Sequence, residues 1–163
     1  MATPENYFDR AVLSVNMMSG FANDGLQRQL EQPSVKLVEG TTDQTVPMKR
    51  EEVVEDQIHY IEENFSKVKD LKETDDTRDI LKAAVALYGY VLPVYKNEYT
   101  QLARLYDEGA SPARIGTLSQ SIRDKYAAGF GERYDAVITA GKPFAARHNI
   151  NVKWDIKTSP DLH

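Results

Sequence analysis

The sequence predicts an all-α fold: one domain, an up-down four-helix bundle with a long first connection and an extended C-terminal arm. Three observations carry that prediction. Apolar residues recur at three- and four-residue steps through most of the chain; in residues 75–108 they are Ile80, Ala84, Leu87, Val91, Val94, Leu102 and Leu105. Cap and stop signals fall where these stretches meet: Thr74-Asp75 before the third, and Gly109 then Ser111-Pro112 before the fourth. Only residues 32–47 are both free of helical periodicity and punctuated by Pro33, Gly40 and Pro47. A chain of 163 residues is long enough to bury a sizeable core without disulfides or a structural metal.

Taken in order, the elements follow from these signals. Pro4 suits a first helical turn, where no amide donor is required. From there Phe8, Val12, Val15, Met18, Ala22, Leu26 and Leu30 keep helical spacing, which predicts a first helix over about 4–31. The interruption GFANDG places Gly20 and Gly25 inside it, each costing about 1 kcal/mol relative to Ala, so the segment reads either as one helix or as two pieces. Residues 32–47 are a long connection in which 34–38 suit an extended strand. A second helix is expected over about 48–73, with Glu51, Glu52 and Glu55 in its early turns and Lys67, Lys69 and Lys72 near its end, as the macrodipole prefers. Val54, Ile58, Ile61, Phe65, Val68 and Leu71 form its inner face.

A third helix is expected over about 75–108, with Tyr88, Tyr95, Tyr99 and Tyr106 widening its apolar stripe. The short turn before it makes it an antiparallel neighbour of the second. The fourth helix, about 112–148, carries Ile115, Leu118, Ile122, Tyr126, Phe130, Tyr134, Ile138, Gly141, Phe144 and His148 on one face, and Gly141 with Pro143 predicts a bend or break there. The arm at 150–157 alternates Ile150, Val152, Trp154 and Ile156 with polar residues. Extended backbone needs hydrogen-bond partners, so the arm is expected beside residues 35–38.

Composition narrows the function classes. Twenty-five acidic against twenty basic residues give a net charge of −5, and no Lys/Arg block is present to neutralise a row of phosphates, which argues against nucleic acid as a partner. No apolar run approaches the roughly 18 residues of a membrane span, so a soluble chain is expected. The start MATPENYF lacks the regions of a signal peptide, so a membrane tether is expected only where a lipidated leader has been removed. With no cysteine, disulfides and thiolate metal sites are excluded, which leaves the compartment open.

Three patterns are candidates for chemistry. Asp56 and His59, among Glu55, Glu62 and Glu63, have the carboxylate-x-x-His spacing of di-metal bundles. Such sites use the step twice, and His148 has no acid three residues earlier, so a solvated acidic face is the plainer reading. Tyr88, Tyr95, Tyr99, Tyr126 and Tyr134 are candidates to line a polar-edged interhelical pocket for a small amphipathic ligand; the plainer alternative makes them core-edge residues. Pro93 removes a helical hydrogen bond and crowds the carbonyl of Gly89, giving a kink that either opens a cavity or wraps the helix around its core. No nucleotide loop, catalytic serine signature or haem attachment sequence occurs, and no cofactor is expected. His59, His148 and His163 stand isolated, and the triplet Asn64-Phe65-Ser66 lies inside a predicted helix with Phe65 inward, which discounts it as a glycosylation site.

From DQIHYIEENFSKVKDL through RDILKAAVALYGYVLPVYKNEYTQLARLYD to KPFAARHNI, about residues 50–150, the chain resembles a family of uncharacterised bacterial lipoproteins of the cell envelope. The resemblance rests on a charged helix ending in Lys-rich turns, a short acidic turn, an aromatic helix with a Lys-x-Glu-Tyr step at 96–99, and a closing Phe-Ala-x-x-His at 144–148. It implies a helical bundle tethered outside the cytoplasm, in the periplasm or envelope, and brings no activity with it. The chain lacks the family's lipid-attachment cysteine and leader, and Pro93 matches no family feature. The expected role is a non-enzymatic binding or interaction module whose partner is a protein or a small molecule; the alternative is a small-molecule or metal-binding bundle. An enclosed pocket beside Tyr88, Tyr95 and Tyr126 favours the alternative, and a filled core favours the module.

Overall fold

The computed structural model describes residues 2–154, and these are mostly helical. The chain forms α1 (Pro4–Ala11), a 3₁₀ segment (Leu13–Met18), α2 (Asp24–Glu31), a hairpin of β1 (Val35–Leu37) and β2 (Thr45–Pro47), α3 (Arg50–Lys69), α4 (Arg78–Val94), a π-helical turn (Tyr95–Tyr99), α5 (Thr100–Asp107) and α6 (Pro112–Arg147).

The long helices are antiparallel neighbours, and long-range bonds fix their directions. Asp107 reaches the start of α3, while Lys96 pairs with Glu62 at 2.7 Å, so α3 runs against α4–α5. Tyr126 meets Glu98 and Arg147 meets Asp76, so α6 runs against α4–α5 as well. The N-terminal residues run back along α6, from Phe8 stacked on Phe144 to Gln27 beside Ser119. The apolar stripes converge: Phe8, Val15, Met18, Leu30, Val54, Ile61, Leu87, Val91, Leu102, Ile122 and Phe144 are buried.

The first predicted helix is corrected by this structure: residues 4–31 are not continuous. Thr3 caps α1, its hydroxyl accepting from the Asn6 N–H at 3.2 Å, but after Ala11 the chain tightens into the 3₁₀ segment and then turns. Ala22 lies in the left-handed region at φ 56°, and a Cβ on Gly25 would fall 2.8 Å from the Cα of Gly20. The two glycines therefore touch across a turn that no helix could make. All seven of the predicted inward residues are nonetheless buried, because each piece still presents its apolar side to the same core.

Two further expectations are revised. Residues 35–38 do not pair with the described part of the C-terminal arm, 150–154; β1 pairs with β2, Val35 opposite Pro47 and Leu37 opposite Thr45, around a turn containing Gly40 at φ 81°. The near strand wins because a hairpin closes a far shorter loop. The arm instead alternates half-buried Ile150, Val152 and Trp154 with exposed Asn151 and Lys153, and Trp154 meets Phe8 edge-on at 5.8 Å; Ile156 and Lys157 lie outside the described residues. Of the bend or break expected near Gly141, the break is absent, since α6 runs unbroken through Gly141 and Pro143. Gly141 serves close approach: a Cβ there would sit 2.9 Å from a Val12 methyl and 3.3 Å from the Trp154 ring. The third helix begins at Arg78, after a turn in which Thr74 Oγ1 accepts from the Thr77 N–H at 3.2 Å.

Candidate functional site

The tyrosines predicted as a site are brought to one side of the molecule, around Phe21. Tyr95, Tyr99 and Tyr126 hold their rings 5.6, 5.7 and 6.4 Å from it, with Tyr90 at 6.4 Å and Phe130 at 5.0 Å. Tyr134 adjoins through Phe130 at 5.6 Å. Tyr88 stands apart, stacked on Phe65 at 5.2 Å.

Most of these hydroxyls serve the broken N-terminal segment. Tyr88 Oη lies 2.7 Å from Ser14 Oγ, Tyr134 Oη donates to Asn16 Oδ1 at 2.8 Å, and Tyr99 Oη accepts from the Ala22 N–H at 2.7 Å. The Gln57 side chain bonds the Tyr95 phenol. A turn outside regular helix leaves amides and polar side chains without intrahelical partners, and the phenols supply them. Burial pushes Tyr88 and Tyr99 up to about 12 and raises Tyr95 and Tyr134 as well. These phenols therefore stay neutral at physiological pH, which suits pegs rather than acid–base groups.

Tyr126 is placed differently. Its hydroxyl donates to Glu98 Oε2, and that carboxylate raises the phenol's pKa. Both line an open groove of about 620 Å³ between α4 with its π-helical turn and α6, together with Gly89, Tyr90, Pro93, Val94 and Lys125. α4 runs through Pro93 to Val94 and passes into the π-helical turn, a form that the sequence did not announce. Side chains bond the backbone around this turn, Asn97 Nδ2 donating to Pro93 O and Thr100 Oγ1 to Tyr95 O, each at 2.9 Å, and π-turns of this kind recur at functional sites.

Asp56 and His59 lie exposed on α3. Among the described residues no group of three or more His, Cys, Asp or Glu side chains converges as metal ligands would. His148, isolated in the sequence, meets Asp76 at 2.7 Å, and Arg147 donates to the same carboxyl at 3.0 Å. The His148 bond, and then the Arg147 one, hold the Asp76 carboxyl below the usual range. Seventy-two residues separate Asp76 from His148, so no local motif announces the contact.

The hairpin is the surface that sequence reasoning passed over. Val38 N–H donates to Gln44 O and Met48 N–H to Ser34 O, both at 2.8 Å, so the hydrogen-bonded pairs are 34–48, 36–46 and 38–44. Val35, Leu37, Thr45 and Pro47 then turn their backbone groups to the outer edges and their side chains to one common face. That face is open, with Val35 59% and Leu37 57% exposed, while Ser34, Val38 and Met48 on the other are half-buried. Lys36 ties the hairpin to α3 through Glu52. The signal available in the sequence was the alternation of Val35, Lys36, Leu37 and Val38 beside Thr45-Val46-Pro47.

No helix among the described residues is long and apolar enough to cross a membrane. No family model matches the chain, and no curated protein or solved structure matches it either.

Proposed function

We propose that the protein is a non-enzymatic interaction module that docks an extended segment of a partner polypeptide on the β1 edge of its hairpin. The observation that carries this reading is the exposure of Val35 and Leu37 on a strand whose outer backbone groups face no neighbouring strand. At Val35 and Leu37 that edge offers both N–H and C=O groups, whereas Pro47 deprives the β2 edge of a donor. An added strand pairs with the backbone and sets its own apolar side chains beside Val35 and Leu37 on the same face. Glu39 and Asp43 flank the hairpin turn, exposed and without ion-pair partners among the described residues. The occupant is accordingly a strand with apolar residues at alternate positions and a basic residue placed against that tip.

The rest of the molecule is the platform. We read it as a single domain and an up-down four-helix bundle, with residues 4–31 as the first leg and α3, α4–α5 and α6 as the others. Placement in a bacterial envelope rests on the resemblance of residues 50–150, and the basic, apolar strand is the feature to seek in neighbouring envelope proteins.

Selection from a displayed library of extended peptides tests the docking edge. The expected consensus alternates apolar residues and carries a Lys or Arg near one end, and binding disappears in the double variant Val35→Asp/Leu37→Asp while its circular dichroism is unchanged. A consensus without alternation, or binding that ignores both substitutions, rejects the proposal.

A further inference from the structure

The groove beside the π-helical turn uses no residue of the hairpin and has a different chemistry. Its floor is apolar, formed by Pro93, Val94 and Leu118, and Gly89 leaves it without a side chain at one point. Glu98 enters from the π-helical turn and Lys125 from α6. Among the described residues neither forms an ion pair, although they are charges of opposite sign lining one groove. Glu98 is half-buried and has one oxygen, Oε2, engaged by the Tyr126 hydroxyl. That bond sets the orientation of the carboxylate and leaves Oε1 for a second donor.

We infer that this groove binds a small zwitterion, an α-amino acid with an apolar side chain: its ammonium on Glu98, its carboxylate on Lys125, its side chain on Val94 and Leu118. A ligand of single charge would satisfy one wall and leave the other charge facing it without a counterpart. A zwitterion matches both, and each contact is a charge-assisted hydrogen bond. Gln101 and Ser121 line the same groove and supply neutral hydrogen-bonding groups beside the two charges. At about 620 Å³ the groove holds such a molecule with room for bridging water. A metal ion fits poorly, because Glu98 is the one carboxylate in the lining and Lys125 opposes a cation.

Amide chemical shifts of the full chain, titrated with L-leucine and L-phenylalanine, test this directly. Saturable shifts are expected in residues 89–101 and 118–126. N-acetyl-leucine lacks the ammonium and leucinamide lacks the carboxylate, and each should bind the wild-type protein at least about tenfold more weakly. Glu98→Gln and Lys125→Met should weaken L-leucine by a similar factor with unchanged circular dichroism. The inference is overturned by the absence of saturable shifts up to about 10 mM ligand, by shifts confined to other residues, or by blocked analogues that bind as well as the free amino acid. Because the analogues are compared on the wild-type chain, a variant that misfolds does not decide the result.

Discussion

Tyr99 shows how one side chain settles a local conflict. Ala22 sits in a backbone region that costs a non-glycine residue roughly 1–2 kcal/mol, and its N–H points away from any helical acceptor. The Tyr99 phenol accepts that N–H at 2.7 Å, so the strained residue keeps its hydrogen bond inside the core. The Ala22 bond by itself favours the phenolate, but burial outweighs it and keeps the phenol neutral, and the sign of its pH linkage follows. Tyr88 and Tyr99 are raised to about 12 by burial, against about 10 in the unfolded chain. Their contribution to stability is full below about pH 10 and is lost as pH rises from there through about 12, where the unfolded state alone ionises readily. Tyrosinate absorbance followed beside helical circular dichroism should show these two phenols titrating only as the helices melt. Titration near the ordinary value with helicity intact would contradict their burial. The sequence placed the tyrosines along the stripe; that their hydroxyls were spoken for by Ser14, Asn16 and Ala22 depends on packing against a segment more than seventy residues away.

Among the elements, α3 is started by a residue that belongs to another helix. The Arg50 and Glu51 N–H groups donate to the Asp107 carboxylate at 2.7 and 2.9 Å, while Glu52 reaches back to the Lys49 N–H at 2.9 Å. Asp107 ends α5, where an acidic side chain opposes its own helix dipole. Its cost there is offset at the positive end of α3, because antiparallel packing sets the two ends side by side. Reciprocally, Arg104 from α5 bridges to Glu51 at 2.9 Å. Asp107→Ala should therefore destabilise the protein by about 1 kcal/mol, the usual loss for an N-cap, and Asp107→Asn by less. Urea denaturation of both variants measures this, and an unchanged midpoint for the Ala variant would remove Asp107 from the capping role. The early turns of α3 were readable from Glu51, Glu52 and Glu55. Their principal cap was not, since it lies more than fifty residues away.

The whole molecule rests on a core shared by every helical leg, and its energetics should be unevenly distributed. Leu87 is fully buried on α4, the helix that adjoins both α3 and α6. Leu87→Ala should cost about 2–5 kcal/mol, as a cavity in a packed core does. His59→Ala, on the exposed face of α3, should change stability by no more than about 0.5 kcal/mol. Chemical denaturation of the pair checks the facing of both helices at once; losses of similar size would mean that one of them is turned wrongly.

Periodicity by itself determined most of the inward positions, with Ile58, Phe65, Leu105 and Leu118 only half-buried. Every inward position expected along residues 4–31 is buried, and so are Val54, Ile61, Val68, Ile80, Leu87, Val91 and Ile122, because the side a residue presents follows from local backbone repeat and apolarity. Ser111 as the cap of α6, with Pro112 in its first turn and Gly109 ending the preceding helix, was likewise local and legible. Only the tertiary structure decided the rest: the breaks in residues 4–31, the closing of β1 on β2, the cap supplied by Asp107, the meeting of Asp76 with His148, and the groove that Glu98 and Lys125 both line. The last three each depend on two stretches far apart in the chain meeting in space. A hydrogen bond or a charge in one stretch gives no sign of its partner until packing has brought the other beside it.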